Sequence, residues 1–334
     1  MKKKLFLLFF LILCAATAYL TYNTYGNWSF AFALRGRRIF AFALVAIAIS
    51  FSTITLQTVT SNRYLTPGIL GLDQLYVLVQ TLCFFFIGGI QMLSQETAAM
   101  FLFSVSLTAI LGSLLIGFFY QKAVNGLFLL LMAGMVCGTM FISLSTFLQV
   151  LMDPNEYDLL QGRLFASFGN INTQHLLIAA VIILIGSSCL ILLIPELNLL
   201  HLGSGQAKSL GVPVQWLHRG ILFLIALLTG TATALVGPAV FLGFVVATIT
   251  YQLFPTYRHG WLFAGGSLIG FLLLVGGQFL VEQVFQWQTT IGTVIQLLGG
   301  VFFISKLLLE RKNHDRNKKR IQKLCENTGV DRVF

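Results

Sequence analysis

Long apolar runs separated by brief polar punctuation fill this chain from end to end. Bounded by charged or turn residues, the runs lie near positions 5–22, 39–58, 72–90, 97–119, 124–151, 174–194, 219–236, 238–254, 261–281 and 290–309. Each approaches the roughly 20 residues that an α-helix needs to cross a hydrocarbon core about 30 Å thick. The pattern therefore predicts an all-α integral membrane protein of about ten transmembrane helices. The least marked division is at Gly237-Pro238. There the stretch from Ile221 to Phe254, 34 residues long, exceeds one tilted helix, and a Gly-Pro pair supplies the break.

Composition agrees with the pattern. Hydrophobic residues make up 57% and charged residues 10% of the 334 positions, against about 25% charged in a soluble domain. Ten spans consume roughly 200 residues and leave short connections, so residues 1–310 read as one polytopic domain and 311–334 as a basic cytoplasmic tail. Lys2-Lys3-Lys4 and the apolar run after them resemble a signal peptide, with Ala16 and Ala18 as small residues for a cleavage site. An even number of crossings requires this run as a retained first helix.

The formal charge of +10 does not point to nucleic acid, because most Lys and Arg sit between apolar runs rather than on one polar face. They act as topology signals. With both termini in the cytoplasm, 17 basic residues fall inside and four outside, as the positive-inside rule requires of a multi-pass protein of the cell membrane. The outer four are Arg35, Arg37, Arg38 and Arg163, so the Arg35–Arg38 cluster stands against the bias. Acidic residues are expected in connections, Asp73 inside and Glu282 outside among them. A span interior without a carboxylate argues against proton or sodium coupling, where such groups persist for function.

Several chemistries are missing. Gly203-Ser204-Gly205-Gln206-Ala207-Lys208-Ser209 imitates a phosphate loop, but Ala207 replaces the second glycine and Leu202 the first. The five histidines are dispersed, and the five cysteines form no C-x-x-C pair, so no metal, cofactor or catalytic site is expected. Small residues four apart, such as Gly134 with Gly138 and Gly266 with Gly270, predict close helix packing.

Four segments, in order, resemble the FecCD-type permeases, membrane subunits of importers for ferric siderophores, haem and cobalamin. Arg35-Gly36-Arg37-Arg38 is similar to the family's R-x-P-R, and the stretch from Asn62 to Gly71, with Pro67, to its N-P-L-A-x-P-x-x-LG. The loop from Leu202 to Val212, with Gly203, Gln206, Ala207, Leu210 and Gly211, resembles LG-x-x-x-A-x-x-LGV. Gly237-Pro238-Ala239-Val240-Phe241-Leu242-Gly243 resembles G-P-I-x-F-x-G. Thr256 to His259 and Val275 to Glu282 look most like the second permease of siderophore systems with two different permeases. Departures are Ala247-Thr248 and Tyr251 in place of the family's Pro-His and Arg, and no Arg near Glu282.

The resemblance implies a non-enzymatic transport subunit beside a second permease, identical or different. Two ATPase subunits would dock on the Leu200 to Val214 loop as a coupling helix, and an extracytoplasmic binding protein would deliver an iron chelate. It implies that Arg35, Arg37 and Arg38 contact that binding protein, and that Asn62, Pro67, Gly71, Gly237, Pro238 and Gly243 belong to the translocation path or its packing. A secondary transporter or channel for an organic solute is the competing reading.

Overall fold

The structure, a computed structural model, describes residues 1–22, 28–88, 98–122, 127–164, 172–306 and the single positions 168 and 308. The 311–334 tail lies outside the described residues. Seven helices are long and apolar enough to cross a membrane: α1 (Lys2–Thr21), α2 (Trp28–Val59), α4 (Ala98–Lys122), α5 (Leu127–Leu151), α7 (Thr173–Leu192), α10 (Val214–Val236) and α12 (His259–Phe279), which runs on into a π-helical turn, Leu280–Val284. Three shorter apolar helices join them: α3 (Leu72–Ile87), α11 (Leu242–Leu253) and α13 (Ile291–Lys306). Among the described residues the seven spans and three shorter apolar helices agree approximately with the expected count of about ten, and no strand is present. Three further helices, α6 (Pro154–Leu164), α8 (Ile194–Leu200) and α9 (Ser204–Ser209), lie in connections.

Helix α2 is the axle of the bundle. It packs against α1, α7, α8, α10, α11 and α12, and 72% of its spanning window is buried. Because lipid gives no hydrophobic drive for one apolar helix to seek another, close approach depends on small side chains. The glycine rows supply it. A methyl on Gly270 would stand 3.2 Å from the Ala46 side chain, and one on Gly266 would run into the Ser50 hydroxyl. On the far side of the bundle, Gly230 of α10 abuts Thr108 of α4.

One difference from the expected spans bears on the arginine cluster. Helix α2 begins at Trp28, not near 39, and its 32 residues reach about 48 Å, longer than the hydrocarbon core. Arg35, Arg37 and Arg38 therefore lie within the N-terminal part of this long helix, and Arg38 is buried in protein. Asp73, counted among the inner-side acids at the start of the 72–90 span, is buried at 4% exposure in the first turn of α3. The segment before it folds back into the bundle.

Candidate functional site

Two of the membrane helices are short because irregular backbone completes their spans. After α2 the chain closes with the Asn62 N–H bonded to the Gln57 carbonyl and the Ser61 N–H to that of Thr58. It then re-enters the protein through Thr66, Pro67 and Gly68, all buried. Gly71, with φ of +91°, reverses direction into α3; a methyl there would stand 3.3 Å from the Gly138 backbone of α5. The second break follows α10, where Gly237, with φ of +100°, and Pro238 stop the helix before α11.

These breaks meet. A methyl on Gly68 would lie 3.0 Å from Cα of Val240 and 2.6 Å from Oδ2 of Asp73, so the two irregular segments touch with no side chain between them. Asp73 Oδ1 accepts a hydrogen bond of 2.9 Å from the Thr233 hydroxyl of α10. Non-helical backbone at membrane depth survives only where protein encloses it, and here it surrounds a cavity of about 30 Å³ bordered by Thr53, Thr66, Asp73, Thr233 and Gly243. A methyl on Gly243 would meet the Thr53 hydroxyl. Pro67, Gly237 and Gly243 border this cavity, with Pro238 next to Gly237 in the chain, whereas Gly71 packs on Gly138 of α5 and Asn62 lies apart, its side chain accepting from the Tyr64 N–H.

The loop between α7 and α10 is built by its glycines. Gly203 (φ +108°) starts α9, and Gly211 (φ +86°) ends it in a Schellman motif: the Val212 N–H bonds the Ala207 carbonyl at 3.1 Å and the Gly211 N–H that of Lys208. Ala207 is fully buried. Leu202, Gln206 and Leu210, four residues apart, all face solvent, with Leu202 57% and Leu210 61% exposed. The alanine anchors the helix from within and the leucines offer apolar surface; Trp216, at the start of α10, is 75% exposed as well.

A buried imidazole ties this loop to the bundle, and sequence reasoning missed it. His259, the first residue of α12 and 0% exposed, gives its backbone N–H (3.0 Å) to Asn198 Oδ1 of α8, and its Nδ1 lies 2.8 Å from the same oxygen. Its Nε2 lies 2.8 Å from the Thr58 hydroxyl of α2. One side chain thus joins three elements. The signals were a histidine at the mouth of an apolar run and its place in the family-like stretch Thr256 to His259, and neither pointed to a buried joint.

At the opposite end the arginine cluster divides. Arg38 is buried and paired with Glu282 at 2.9 Å, and the same carboxylate oxygen accepts from the Tyr19 hydroxyl (2.7 Å) and Gln278 Nε2 (2.9 Å). The Trp287 ring covers the guanidinium at 5.0 Å. Arg35 gives its Nη1 to the carbonyls of Tyr19, Leu20 and Tyr22, the orphan acceptors at the C-terminus of α1. Arg37 alone of the three is exposed.

A helical bundle with two interrupted spans that meet at a buried junction is the architecture of a polytopic membrane protein. The FecCD transport family matches residues 5–309, and the chain belongs to that family. The petrobactin import system permease protein YclO of Bacillus subtilis is 40% identical over 288 residues, covering 86% of this chain and 91% of that protein. The petrobactin permease FatC of Bacillus anthracis is 35% identical, covering 82% and 77%. In fold, the chain superposes with a TM-score of 0.77 on a solved metal-chelate type ABC transporter in an inward-facing conformation, at 23% identity and over 92% of this chain and 99% of that one.

Proposed function

We propose that this chain is the membrane permease of an ATP-binding-cassette importer for a ferric siderophore of the petrobactin kind. The observation that carries the reading is the 40% and 35% identity to two petrobactin permeases over more than four-fifths of the chain. The partners are a second permease subunit, two ATPase subunits and an extracytoplasmic binding protein. A 30 Å³ cavity passes no chelate, which supports a translocation path formed between two permeases rather than through one. The exposed apolar face of Leu202, Gln206 and Leu210 suits docking on the ATPase. Movement of that face would reach α12 and α2 through Asn198 and His259 as a rigid-body shift. On the outer side, Arg37 is the cluster's available docking charge, while Arg35 and Arg38 hold α2 against α1 and α12.

One observation favours the ion-coupled carrier: Asp73 is a carboxyl enclosed beside two broken helices, where coupling groups reside in secondary transporters. The Asp73→Asn variant separates the readings, since asparagine keeps the oxygen that Thr233 bonds and loses only the titration. ATP-driven uptake should persist in that variant. The function itself is tested by deleting the gene and measuring uptake of ⁵⁵Fe-labelled ferric petrobactin by whole cells; undiminished uptake, with no other petrobactin permease in the strain, would reject it.

A further inference from the structure

A second cavity, of about 460 Å³, opens at the cytoplasmic end of α2, α11 and α13, and the interrupted-span junction does not use it. Its walls include Arg63 and Tyr64 from the turn after α2, Thr248, Tyr251 and Gln252 from α11, and Lys306 from α13. Among the described residues no carboxylate lines it. Arg63 is placed by three local contacts. Its carbonyl accepts from Gln57 Nε2 at 2.7 Å, its guanidinium lies 4.9 Å from the centre of the Tyr251 ring, and the turn is closed by Ser61 in the left-handed region at φ +50°. A serine there is uncommon, since the left-handed conformation is costly for residues other than glycine. The result is an arginine whose charged end is stacked and oriented, in the position where the family pattern carries proline. Its field reaches His201, whose pKa is lowered first by burial and second by the Arg63 charge.

We infer that this cleft is an anion site that receives the siderophore's iron complex on the cytoplasmic side as it leaves the translocation path. The inference rests on the function proposed above. Fe³⁺ is a hard cation that takes oxygen donors, and a chelate that supplies six deprotonated oxygens to it is net negative; such oxygens are what the cleft is equipped to meet. The guanidinium fork pairs carboxylate or phenolate oxygens two at a time, and Lys306 adds a point charge. The Tyr64 and Tyr251 rings offer faces to an aromatic chelating group, and Gln252 and Thr248 offer hydrogen bonds. A volume of 460 Å³ is within the range of small-molecule sites. The phosphate of an anionic lipid shares this chemistry, so the test must tell the two apart.

The experiment uses the complete importer in nanodiscs of phosphatidylcholine alone, without binding protein, and measures equilibrium binding of ⁵⁵Fe-labelled ferric petrobactin. Arg63→Gln combined with Lys306→Gln should weaken binding by about tenfold or more, and added salt should weaken the wild type but hardly the variant. Arg63→Lys should fall between them. Lys306→Glu alone, at the surface end of α13, gives the same reading if the double variant fails to assemble. Equal affinity of wild type and variants would overturn the inference. So would charge dependence seen only when phosphatidylglycerol is present and retained by the cleft, which would make a lipid headgroup the occupant. Uptake by wild-type proteoliposomes, run in parallel, separates the two failures: uptake with unchanged binding sinks the cleft alone, and no uptake sinks the function on which it rests.

Discussion

Replacing Asn198 by alanine removes one oxygen that serves two donors. The His259 N–H and its ring Nδ1 reach that oxygen at 3.0 and 2.8 Å, and His259 is fully buried, so water cannot replace the lost acceptor. A buried donor left unpaired costs about 1–3 kcal/mol, and two of them cost about 2–6 kcal/mol, concentrated at the joint between α8 and α12. Because about 1.4 kcal/mol is a factor of ten in an equilibrium, α8 should spend much of its time detached from α12 and α2. The ATPase would then move the loop without moving the bundle. In proteoliposomes, chelate transported per ATP hydrolysed should fall about tenfold while hydrolysis continues. Asn198→Asp, which keeps an oxygen in place at a half-buried position, should recover most of the ratio. An unchanged ratio in Asn198→Ala would refute the argument that this imidazole carries the movement.

The other predictions concern both ends of the bundle. Arg38→Ala or Glu282→Ala breaks a buried pair and should cost about 3–5 kcal/mol, read as a lower unfolding temperature of the purified permease, and the exchanged pair Arg38→Glu with Glu282→Arg should recover part of it. Arg37→Glu should slow association of the binding protein in a salt-dependent way without lowering that temperature; an unaltered rate at low salt would leave Arg37 a surface charge only. Ala207→Glu should uncouple transport because the buried side of α9 has no room for a carboxylate, whereas Leu210→Asp should weaken capture of the ATPase while leaving the loop folded, as judged by limited proteolysis.

Much of the bundle was legible because lipid leaves few options: each crossing must be a long apolar run, and ten such runs are plain. The exceptions are informative. Helices α3 and α11 span 16 and 12 residues, because the segments from Thr60 to Gly71 and from Gly237 to Phe241 leave helical conformation inside the protein. Pro67, Gly71 and Gly237-Pro238 marked where breaks would fall. That the breaks would touch, with Val240 against Gly68, depends on tertiary packing that no local pattern contains. The arginine cluster was visible as a violation of the charge rule. Its partner was not, since Glu282 is 244 positions from Arg38 and was counted as one more outer acid. The burial of Asp73 was hidden for the same reason: a charged residue at the start of an apolar run reads as an end residue unless its chain is known to turn back into the core. His259 lay in the family-like stretch Thr256 to His259, which gave no sign of its buried contacts.

Reconstitution tests whether this permease moves a ferric siderophore with energy supplied by a separate ATPase. The purified permease with its second permease and ATPase subunits is placed in liposomes, and entry of ⁵⁵Fe-labelled ferric petrobactin is followed with loaded binding protein on one side and ATP on the other. Uptake should need both ATP and binding protein and should stop when the ATPase is omitted. Uptake by the permease alone, driven by a proton or sodium gradient and abolished by Asp73→Asn, would contradict ATP-driven import of the siderophore.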